Sequence, residues 1–329
     1  MKANNRWEEI VAAILRHRDF VIVGHSIADG DCVGSVIGLT LGLGSMGKHV
    51  TAVLDEEVPR MYRFLEGANL VRKPAELEAW PAQAIYLDCS DIERVGEKLV
   101  PYLSGCTTVI NIDHHISNSF FGHYNRVEPE TASTAELVLK LLEKMGVEIS
   151  PAIANAVYTG ILMDTGSFQY SNTRTRTLRT AARLLEQGVD IDMLRVNLFE
   201  SRSRAEGRLL QTALASLQFS PDGRVAWMSV TYRELVEMGA LQEHFEGLIN
   251  YARSIEGVEV GLLFREIEPG IVKIGLRSKT QVDVNKIAAR LGGGGHPRAA
   301  GAQMEGDMDQ VQEEVVRLVG EVVAACTGS

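Results

Sequence analysis

The stretch DFVIVGHSIADGDCVGSVIGLTLGLGS, residues 19–45, decides the fold class. A short β-branched run ends in a polar loop, and a long uncharged segment rich in glycine follows it. Similar short runs occur at residues 50–54, 84–87 and 108–112, and the segments between them, such as 34–47 and 61–69, are long enough for helical crossovers. This alternation predicts an α/β domain with a parallel sheet and helices on both of its faces.

The pattern changes in the second half of the chain. Apolar residues recur at helical spacing over residues 134–145, 151–163 and 176–187, and a polar stretch rich in arginine follows. Strand patterns then return at residues 225–230, 258–265 and 271–276, before a last amphipathic helix over 311–323. We therefore predict a first domain over residues 1–190, a helical linker or hinge over 191–215, and a smaller α/β domain over 216–329.

Composition narrows the classes of partner. The chain of 329 residues carries 33 Lys and Arg against 43 Asp and Glu, a net charge of −10, which argues against binding long duplex nucleic acid. The longest uncharged run, residues 32–47, is broken by five glycines, so we expect no membrane span. The four cysteines form no CxxC pair, which favours a reducing compartment, and the cytoplasm is the expected location.

Acidic and imidazole side chains follow the predicted strands. The carboxyl ends of parallel strands lie along one edge of a sheet, where ligands bind, so these side chains should converge. Taken one at a time, each also suits an ordinary helix cap, a turn or a structural hydrogen bond. The set comprises His25, Asp29 and Asp31 after the first strand, Asp88 after the third, Asp113, His114 and His115 after the fourth, and Asp164 at the end of a helical segment.

Several carboxylates in one cleft repel one another unless positive charge compensates them. Divalent metal is the economical solution, and imidazole plus carboxylate without cysteine suits Mn²⁺ first, with Mg²⁺ or Fe²⁺ as alternatives. The donors suffice for two ions that share a bridging carboxylate, the arrangement used for in-line displacement at phosphorus. Asp88 is our candidate for the bridge.

The second domain contains a different motif, GGGGHPRAAG, at residues 292–301. Its glycines, Gly294 and Gly295 among them, allow backbone N–H groups to approach an anion, and His296 and Arg298 add donors. The glycines by themselves also suit a flexible hairpin. Arg277 and Ser278, at the end of a predicted strand, are further candidates for a phosphate contact. We expect the active site in the cleft between the two domains.

The ordered set of motifs resembles the DHH phosphoesterase superfamily with its DHHA1 carboxy-terminal domain, over nearly the whole chain. Within it, the chain is most similar to the stand-alone bacterial oligoribonucleases (nanoRNases) that are also phosphatases of 3′-phosphoadenosine 5′-phosphate (pAp). Asp113-His114-His115 is the naming motif, residues 164–168 match a later one, and residues 293–296 with 299–301 mark the second domain. One departure is Ala28, where the family usually has proline.

The resemblance implies a role for each residue. His25, Asp29 and Asp88 would hold one metal ion, and Asp31, Asp88, His114 and Asp164 the other. His115 would face the substrate phosphate, with Asp113 orienting it, and Arg277, Ser278 and His296 would bind a substrate phosphate from the second domain. The implied reaction is attack on phosphorus by a hydroxide that two metal ions activate, which converts short oligoribonucleotides to mononucleotides and pAp to AMP.

Four alternatives remain open. The same first domain serves single-strand DNA exonucleases, inorganic pyrophosphatases, and phosphodiesterases of cyclic di-AMP or its linear form pApA. A nucleotide-binding sensor without activity is the alternative from another class. The sequence leaves open the metal, the direction of degradation and the assembly state, although homodimers are common among such proteins.

Overall fold

The computed structural model describes residues 4–239, 242–245 and 247–326. The chain separates into two units, Met1–Ser201 and Arg202–Ser329. Within the described part, no helix has both the length and the hydrophobicity that crossing a membrane requires. All four cysteines are free thiols.

The first unit alternates helices and strands in chain order. Its elements are α1 (Trp7–Arg16), β1 (Asp19–Val23), α2 (Gly30–Ser45), β2 (His49–Val53), β3 (Val71–Arg72), β4 (Gln83–Leu87), α3 (Val100–Leu103), β5 (Thr108–Asp113), β6 (Tyr124–Val127), α4 (Thr134–Lys144), α5 (Pro151–Asp164), α6 (Thr175–Glu186) and α7 (Ile191–Phe199).

The six strands described in this unit form one parallel sheet in the order β3-β2-β1-β4-β5-β6. The chain starts near the middle of the sheet, builds outward to β3, and then returns to the other side of β1 with β4. The order therefore reverses between β1 and β4, and the loops that leave these two strands diverge to opposite sides. This crevice at the carboxyl edge of the sheet is where ligands bind in open parallel sheets.

Alternate residues of each strand enter two separate apolar layers. Phe20 and Ile22 pack with α1, α2, α4 and α5 on one face of the sheet. Val21 and Val23 pack on the other face against Val95, in the 3₁₀ turn Ile92–Val95, and against shorter segments including α3. Both faces are thus covered, as a parallel sheet requires, because each strand exposes side chains in two directions.

A row of glycines brings α2 and α5 close together. A Cβ atom on Gly34 would lie 2.3 Å from the carbonyl oxygen of Ala156 in α5. One on Gly160 would lie 3.0 Å from Oδ1 of Asp31 in α2 and 2.6 Å from Cβ of Ala135 in α4. These positions therefore accept no side chain without displacing a neighbouring helix. The close approach places the first turn of α2 beside the last turn of α5, and both turns carry predicted site residues.

The α/β class, the parallel sheet and the predicted helices of the first unit are confirmed, with ends shifted by a few residues. Residues 61–69 are the exception: the segment lies between the parallel strands β2 and β3, as a crossover does, but it contains only parts of the 3₁₀ turns Arg60–Tyr62 and Ala68–Leu70 and no α-helix. Gly67 lies between the turns with a φ of 94°, a left-handed conformation that interrupts a helix. The two-residue strand β3 and the strand β6 were not predicted.

The second unit has a mixed sheet between two groups of helices. Its elements are α8 (Arg204–Ala215), β7 (Gln218–Phe219), β8 (Val225–Val230), α9 (Tyr232–Met238), α10 (Ile249–Ser254), β9 (Val260–Glu268), β10 (Ile271–Ser278), α11 (Val284–Arg290), β11 (Gly294–His296), β12 (Ala299–Glu305) and α12 (Met308–Ala325).

The six strands described here follow the order β11-β12-β10-β9-β8-β7, and only the pair β8 and β9 is parallel. One face packs on α11 and α12, and the other on α8 and α10. Strands β8, β9 and β10 lie where the sequence predicts them. The glycine-rich motif forms the hairpin of β11 and β12 at the edge of the sheet, so Gly294, Gly295 and Gly301 belong to paired strands, whereas Gly292 and Gly293 precede them.

Candidate metal centre

The eight acidic and imidazole residues predicted from strand and helix ends all belong to the first unit. Those of the first loop follow β1 at the crevice, Asp88 follows β4, and the Asp113-His114-His115 motif starts at the last residue of β5. Asp164 is the last residue of α5. Seven of the eight, all except Asp113, contribute donor atoms to three overlapping groups of three residues, and within each group the atoms lie within 4.8 Å of one another.

The first donor group consists of His25, Asp29 and Asp88. The Nε2 atom of His25 lies 3.6 Å from Oδ1 of Asp29 and 3.3 Å from Oδ2 of Asp88. Asp29 also caps α2, because its Oδ1 accepts the backbone N–H groups of Asp31 and Cys32. Asp29 is therefore both a helix cap and a predicted metal ligand.

The second donor group consists of Asp31, His114 and Asp164. The Nε2 atom of His114 lies 3.8 Å from Oδ2 of Asp31 and 3.6 Å from Oδ2 of Asp164. It also lies 3.5 Å from Oδ1 of Asp88. The two carboxylate oxygens of Asp88 therefore face different groups, Oδ2 the first and Oδ1 the second.

The backbone at Asp88 fixes this orientation. Asp88 has a φ of 59°, in the left-handed region that few residues other than glycine, asparagine and aspartate adopt. Its N–H group donates to the carbonyl oxygen of Ile112 in the neighbouring strand, at 3.1 Å. The unusual conformation turns the side chain at the point where β4 ends, and such backbone strain is concentrated at functional sites.

A segment of residues 131–135, before and at the start of α4, holds the second group in place. The first N–H groups of α4 donate to the carboxylate of Asp31, from Thr134 at 2.6 Å and from Ala135 at 2.8 Å. The hydroxyl of Thr134 donates to Oδ1 of Asp88 at 3.0 Å. The carbonyl oxygen of Thr131 lies 3.3 Å from Nδ1 of His114, so this nitrogen carries the hydrogen and Nε2 is left as the donor to a metal.

His115 is oriented by a carboxylate behind it. Its Nδ1 atom donates to Oδ1 of Asp113 at 2.7 Å. The Nδ2 atom of Asn118 donates to Oδ2 of the same carboxylate at 2.6 Å, and Asn118 is itself buried. Because Asp113 is completely buried and accepts bonds on both oxygens, the imidazole ring is held in one orientation.

The charges of the site are strongly coupled. Burial lowers the pKa of His25, but hydrogen bonds to Asp29 and Asp88 outweigh it and raise the pKa to about 10. Burial and the neighbouring carboxylates raise the pKa of Asp31 well above its usual range. Burial raises the pKa of Asp164 to about 6, although His114 acts in the opposite direction. The excess of negative charge is thus balanced by protons, which a cation could replace.

These donors fit divalent metal ions. They are carboxylate and imidazole groups of several elements, and His25, Asp31 and Asp88 are buried whereas Asp29 is exposed. Asp88 offers one oxygen to the first group and the other to the second. Cys32 and Cys89 lie nearby but are fully buried, and burial raises the pKa of both thiols, so they stay neutral packing groups. The composition of the set matches oxygen- and nitrogen-preferring ions.

The predicted substrate-binding residues belong to the second unit. Arg277 on β10 and His296 on β11 are both paired with Ala299 on β12, which lies between them. Residues opposite one another in antiparallel strands point to the same face, so these two side chains share one face, with a small residue between. Gly294 and Gly295 are in β11 and are exposed, as is His296.

Two other predicted residues make internal contacts. The hydroxyl of Ser278, which is 1% exposed, donates to the carbonyl oxygen of Val282 at 2.6 Å. The guanidinium of Arg298 donates to the same carbonyl oxygen at 2.7 Å. Both side chains therefore stabilise the loop after β10, and a role in substrate binding stays a prediction for them.

Some contributors were not predicted from the sequence. Thr134 and Ala135 act largely through backbone N–H groups, which every residue except proline has, so side-chain chemistry gives no signal for them. Asn118 follows Asp113 by five positions, in a loop after a strand, and a search for polar partners of the buried motif could have found it.

Comparison with known proteins now gives the family. The profile of the DHH family, N-terminal domain, matches residues 19–161, and that of the DHHA1 domain matches residues 228–325. The bifunctional oligoribonuclease and PAP phosphatase NrnA of Thermus thermophilus is 38% identical over 322 residues, which cover 96% of this chain and 94% of that protein.

Two further comparisons extend the likeness. The cyclic-di-AMP phosphodiesterase GdpP of Geobacillus thermodenitrificans is 29% identical over 90% of this chain, but the match covers 47% of that protein. The crystal structure of an exopolyphosphatase-related protein from Bacteroides fragilis superimposes with a TM-score of 0.88 and 27% identity, over 97% of this chain and 95% of that one.

Proposed function

Since the chain belongs to the DHH family and carries the DHHA1 domain, we propose that it is a phosphoesterase that hydrolyses short oligoribonucleotides to mononucleotides and pAp to AMP. The relative that is 38% identical over nearly the full length of both proteins has these two activities in its name. The likeness to GdpP covers less than half of that protein, so it supports cyclic di-AMP as a substrate less well.

One observation carries the proposal. Asp88 directs Oδ2 toward His25 and Oδ1 toward His114, at 3.3 and 3.5 Å, and each imidazole belongs to a separate donor group. A carboxylate shared in this way suits a pair of cations, with His25, Asp29 and Asp88 around one and Asp31, Asp88, His114 and Asp164 around the other. When bound, two such ions supply Lewis acidity and a water acidic enough to act as nucleophile near neutral pH.

We propose Mn²⁺ as the ion, with Mg²⁺ and Fe²⁺ as alternatives. The first and second donor groups each contain one imidazole beside two carboxylates, and a third group, of Asp88, His114 and His115, contains two imidazoles. Mg²⁺ prefers sites of oxygen alone and retains water, whereas Mn²⁺ and Fe²⁺ accept imidazole more readily.

The chain's own residues would stabilise charge on the phosphate. His115 holds its hydrogen on Nδ1 for Asp113, and burial lowers its pKa, but the bond to Asp113 and the charge of Asp88 outweigh it and raise the pKa. The protonated ring can donate from Nε2 to a phosphoryl oxygen, where negative charge grows as the bond to the leaving group breaks. In the second unit, Arg277 and His296, with the N–H groups of Gly294 and Gly295, would bind a phosphate of the substrate.

A substrate panel tests the proposal. The full chain, first treated with chelator, is given a ribodinucleotide, its deoxy counterpart, pAp, pApA, cyclic di-AMP and a long RNA duplex, with Mn²⁺, Mg²⁺ or Fe²⁺. We expect release of mononucleotides from the ribodinucleotide and of AMP from pAp, no turnover without metal, and the highest rates with Mn²⁺. Cleavage of cyclic di-AMP alone would contradict the proposal, and binding without any product would favour the nucleotide sensor.

A cytoplasmic location and a homodimer stay predictions. The first rests on the free thiols of the four cysteines, and the second on the resemblance to the family. Fractionation of the source cells tests the first, and sedimentation of the purified chain tests the second.

A further inference from the structure

Asn172, in the loop between α5 and α6, connects two parts of the candidate metal centre. Its Nδ2 atom donates to the carbonyl oxygen of Asp164 at 3.0 Å and to the carbonyl oxygen of Ala132 at 3.1 Å. Asp164 belongs to the second donor group, and Ala132 belongs to the segment of residues 131–135. One side-chain amide therefore ties the end of α5 to the start of α4.

The chemistry of the partners determines which way the amide points. Both neighbours are carbonyl oxygens, which only accept hydrogen bonds, so the NH₂ group of Asn172 must face them and its oxygen must face away. That oxygen, Oδ1, is buried and accepts no hydrogen bond within the described residues. Aspartate has the same shape but no side-chain donor at neutral pH, so it could not make either contact.

The bond from Asn172 is important because the position of the Asp164 carboxylate depends on the position of its backbone. The segment of residues 131–135 directly contacts the other two members of the second group and also Asp88. Thr131 contacts His114, and Thr134 contacts Asp31 and Asp88. For Asp164, the described polar contact of the carboxylate is the one to His114, at 3.6 Å. The two bonds of Asn172 link Asp164 to the segment that holds these three residues.

The backbone after Asp164 has an unusual conformation. Gly166, Ser167 and Phe168 have φ angles of 55°, 60° and 64°, three consecutive residues in the left-handed region. For residues other than glycine this conformation is costly and persists only where the surroundings impose it. Bonds within the loop support this conformation, such as the one from the Phe168 N–H group to the hydroxyl of Thr165 at 3.0 Å. Asn172 adds a bond to Asp164 at the start of the loop and a bond to Ala132 outside it.

We propose that Asn172 is a positioning residue of the second donor group, which sets the distance between Asp164 and the other donors and so the affinity of this group for a divalent ion. The inference rests on the proposed metal site, and it assigns Asn172 no contact with substrate. Partners that orient metal ligands typically change metal affinity by about 10- to 100-fold when they are replaced.

Metal binding to the full chain, without substrate, tests this directly. Asn172→Ala removes both hydrogen bonds, and Asn172→Asp also places negative charge against two carbonyl oxygens. Asn197→Ala is the matched control, because Asn197 also donates from Nδ2 to a backbone carbonyl, that of Met193 at 2.8 Å, in α7. Mn²⁺ is titrated by calorimetry, and electron paramagnetic resonance reports whether two Mn²⁺ ions are close enough to couple.

We expect two Mn²⁺ equivalents and a coupled spectrum for the unchanged chain and for Asn197→Ala. In Asn172→Ala one equivalent should bind about 10- to 100-fold more weakly while the other is unchanged, and Asn172→Asp should lose at least as much. Circular dichroism monitors folding, and if only the aspartate variant unfolds, the alanine variant decides. Unchanged binding of both equivalents, equal weakening of both, or unfolding of Asn172→Ala would overturn the inference.

These outcomes also separate the inference from the proposed function. Two Mn²⁺ equivalents without hydrolysis of any member of the substrate panel would overturn the function and leave the role of Asn172 standing. If the unchanged chain hydrolyses the substrates and the Asn172 variants bind metal normally, only the proposed role of Asn172 would be overturned. Fewer than two equivalents in the unchanged chain would overturn both.

Discussion

Asp31 in the first unit and Glu259 in the second are both buried carboxylates that accept hydrogen bonds from backbone N–H groups, yet their pKa values are shifted in opposite directions. Glu259 accepts from the N–H groups of Thr280, Gln281 and Val282, at 3.0, 2.7 and 3.1 Å. Burial raises its pKa, but these bonds outweigh burial and lower the pKa. Asp31 accepts from two N–H groups, but burial and the charges of neighbouring carboxylates raise its pKa.

The difference illustrates how a structural carboxylate differs from one that we propose as a metal ligand. Glu259 has enough donors for its charge, and the loop around it needs no cation. Asp31 has donors too, but burial and the nearby charges of Asp88, Asp164 and Asp29 raise its pKa, so its ionised form is disfavoured without a cation. Burial and hydrogen bonds alone therefore do not favour a metal site, whereas several like charges in one place do.

The largest effect is expected from Asp88→Asn. Asparagine tolerates the left-handed backbone at this position, so the fold should persist, but one oxygen of the bridge is replaced by an amide nitrogen that cannot bind a cation. We expect kcat on the ribodinucleotide to fall by about 10³-fold, which corresponds to roughly 4 kcal/mol of lost transition-state stabilisation. Steady-state rates with saturating Mn²⁺ measure it.

Asp88→Ala serves as the comparison for this variant. It should lose the same activity but unfold at a lower temperature, because alanine at a φ of 59° costs about 1 to 2 kcal/mol. Retained hydrolysis in Asp88→Asn would show that Asp88 does not bridge two ions. The comparison of the acidic cluster, as a metal site, with the structural carboxylate of Glu259 would then fail.

Much of the first unit could be predicted because strand ends carry its chemistry. A buried run followed at once by Asp or His identifies Asp88, Asp113 and His114, and the parallel topology brings such ends together. The contacts that hold them could not be predicted. The N–H groups of Thr134 and Ala135 depend on where α4 begins in space, and the bond from Asn172 to Asp164 depends on how the loop after α5 folds back.

Glu259→Gln should have the next largest effect, on stability. A neutral amide cannot match the charged oxygen that three N–H groups face, so the free energy of unfolding should fall by about 2 kcal/mol at pH 7. The folded-state pKa of Glu259 lies below its ordinary value, so the contribution of its charge is complete above the unfolded-state pKa and is lost as pH falls through the folded-state pKa. Chemical denaturation between pH 7 and pH 3 measures both effects.

The gap between the unchanged chain and Glu259→Gln should therefore narrow as the solution becomes more acidic. Hydrogen exchange should show loss of protection at the amides of residues 280–282. Glu256→Gln, at an exposed position in the same unit, is the control and should change neither the free energy of unfolding nor the protection of these amides. A gap that stays constant down to pH 3 would show that Glu259 is not held as a charged group, and the comparison with Asp31 would fail.

The second unit was harder to predict because its motif is glycine-rich. Glycines suit a mobile hairpin as well as an anion site, and the sequence could not distinguish them. The structure places Gly294 and Gly295 in a paired strand and turns Ser278 and Arg298 toward the carbonyl oxygen of Val282. These side chains support a loop, a role that their type alone did not indicate.

The smallest effect is expected from His296→Ala, which tests whether the second unit contributes to substrate binding without any share in metal binding. His296 is exposed and lies on the same sheet face as Arg277, whereas the donor groups of Asp88 are in the first unit. Loss of one hydrogen bond to a phosphate should raise KM for the ribodinucleotide about tenfold, roughly 1.4 kcal/mol, with Mn²⁺ affinity unchanged.

His49→Ala, at an exposed histidine paired with Asp19 in the first unit, is the control and should change neither KM nor the affinity for Mn²⁺. Weaker Mn²⁺ binding in His296→Ala would contradict the assignment of metal binding to the first unit and of a substrate contact to the second. It would mean that His296, which is in none of the donor groups, affects metal binding.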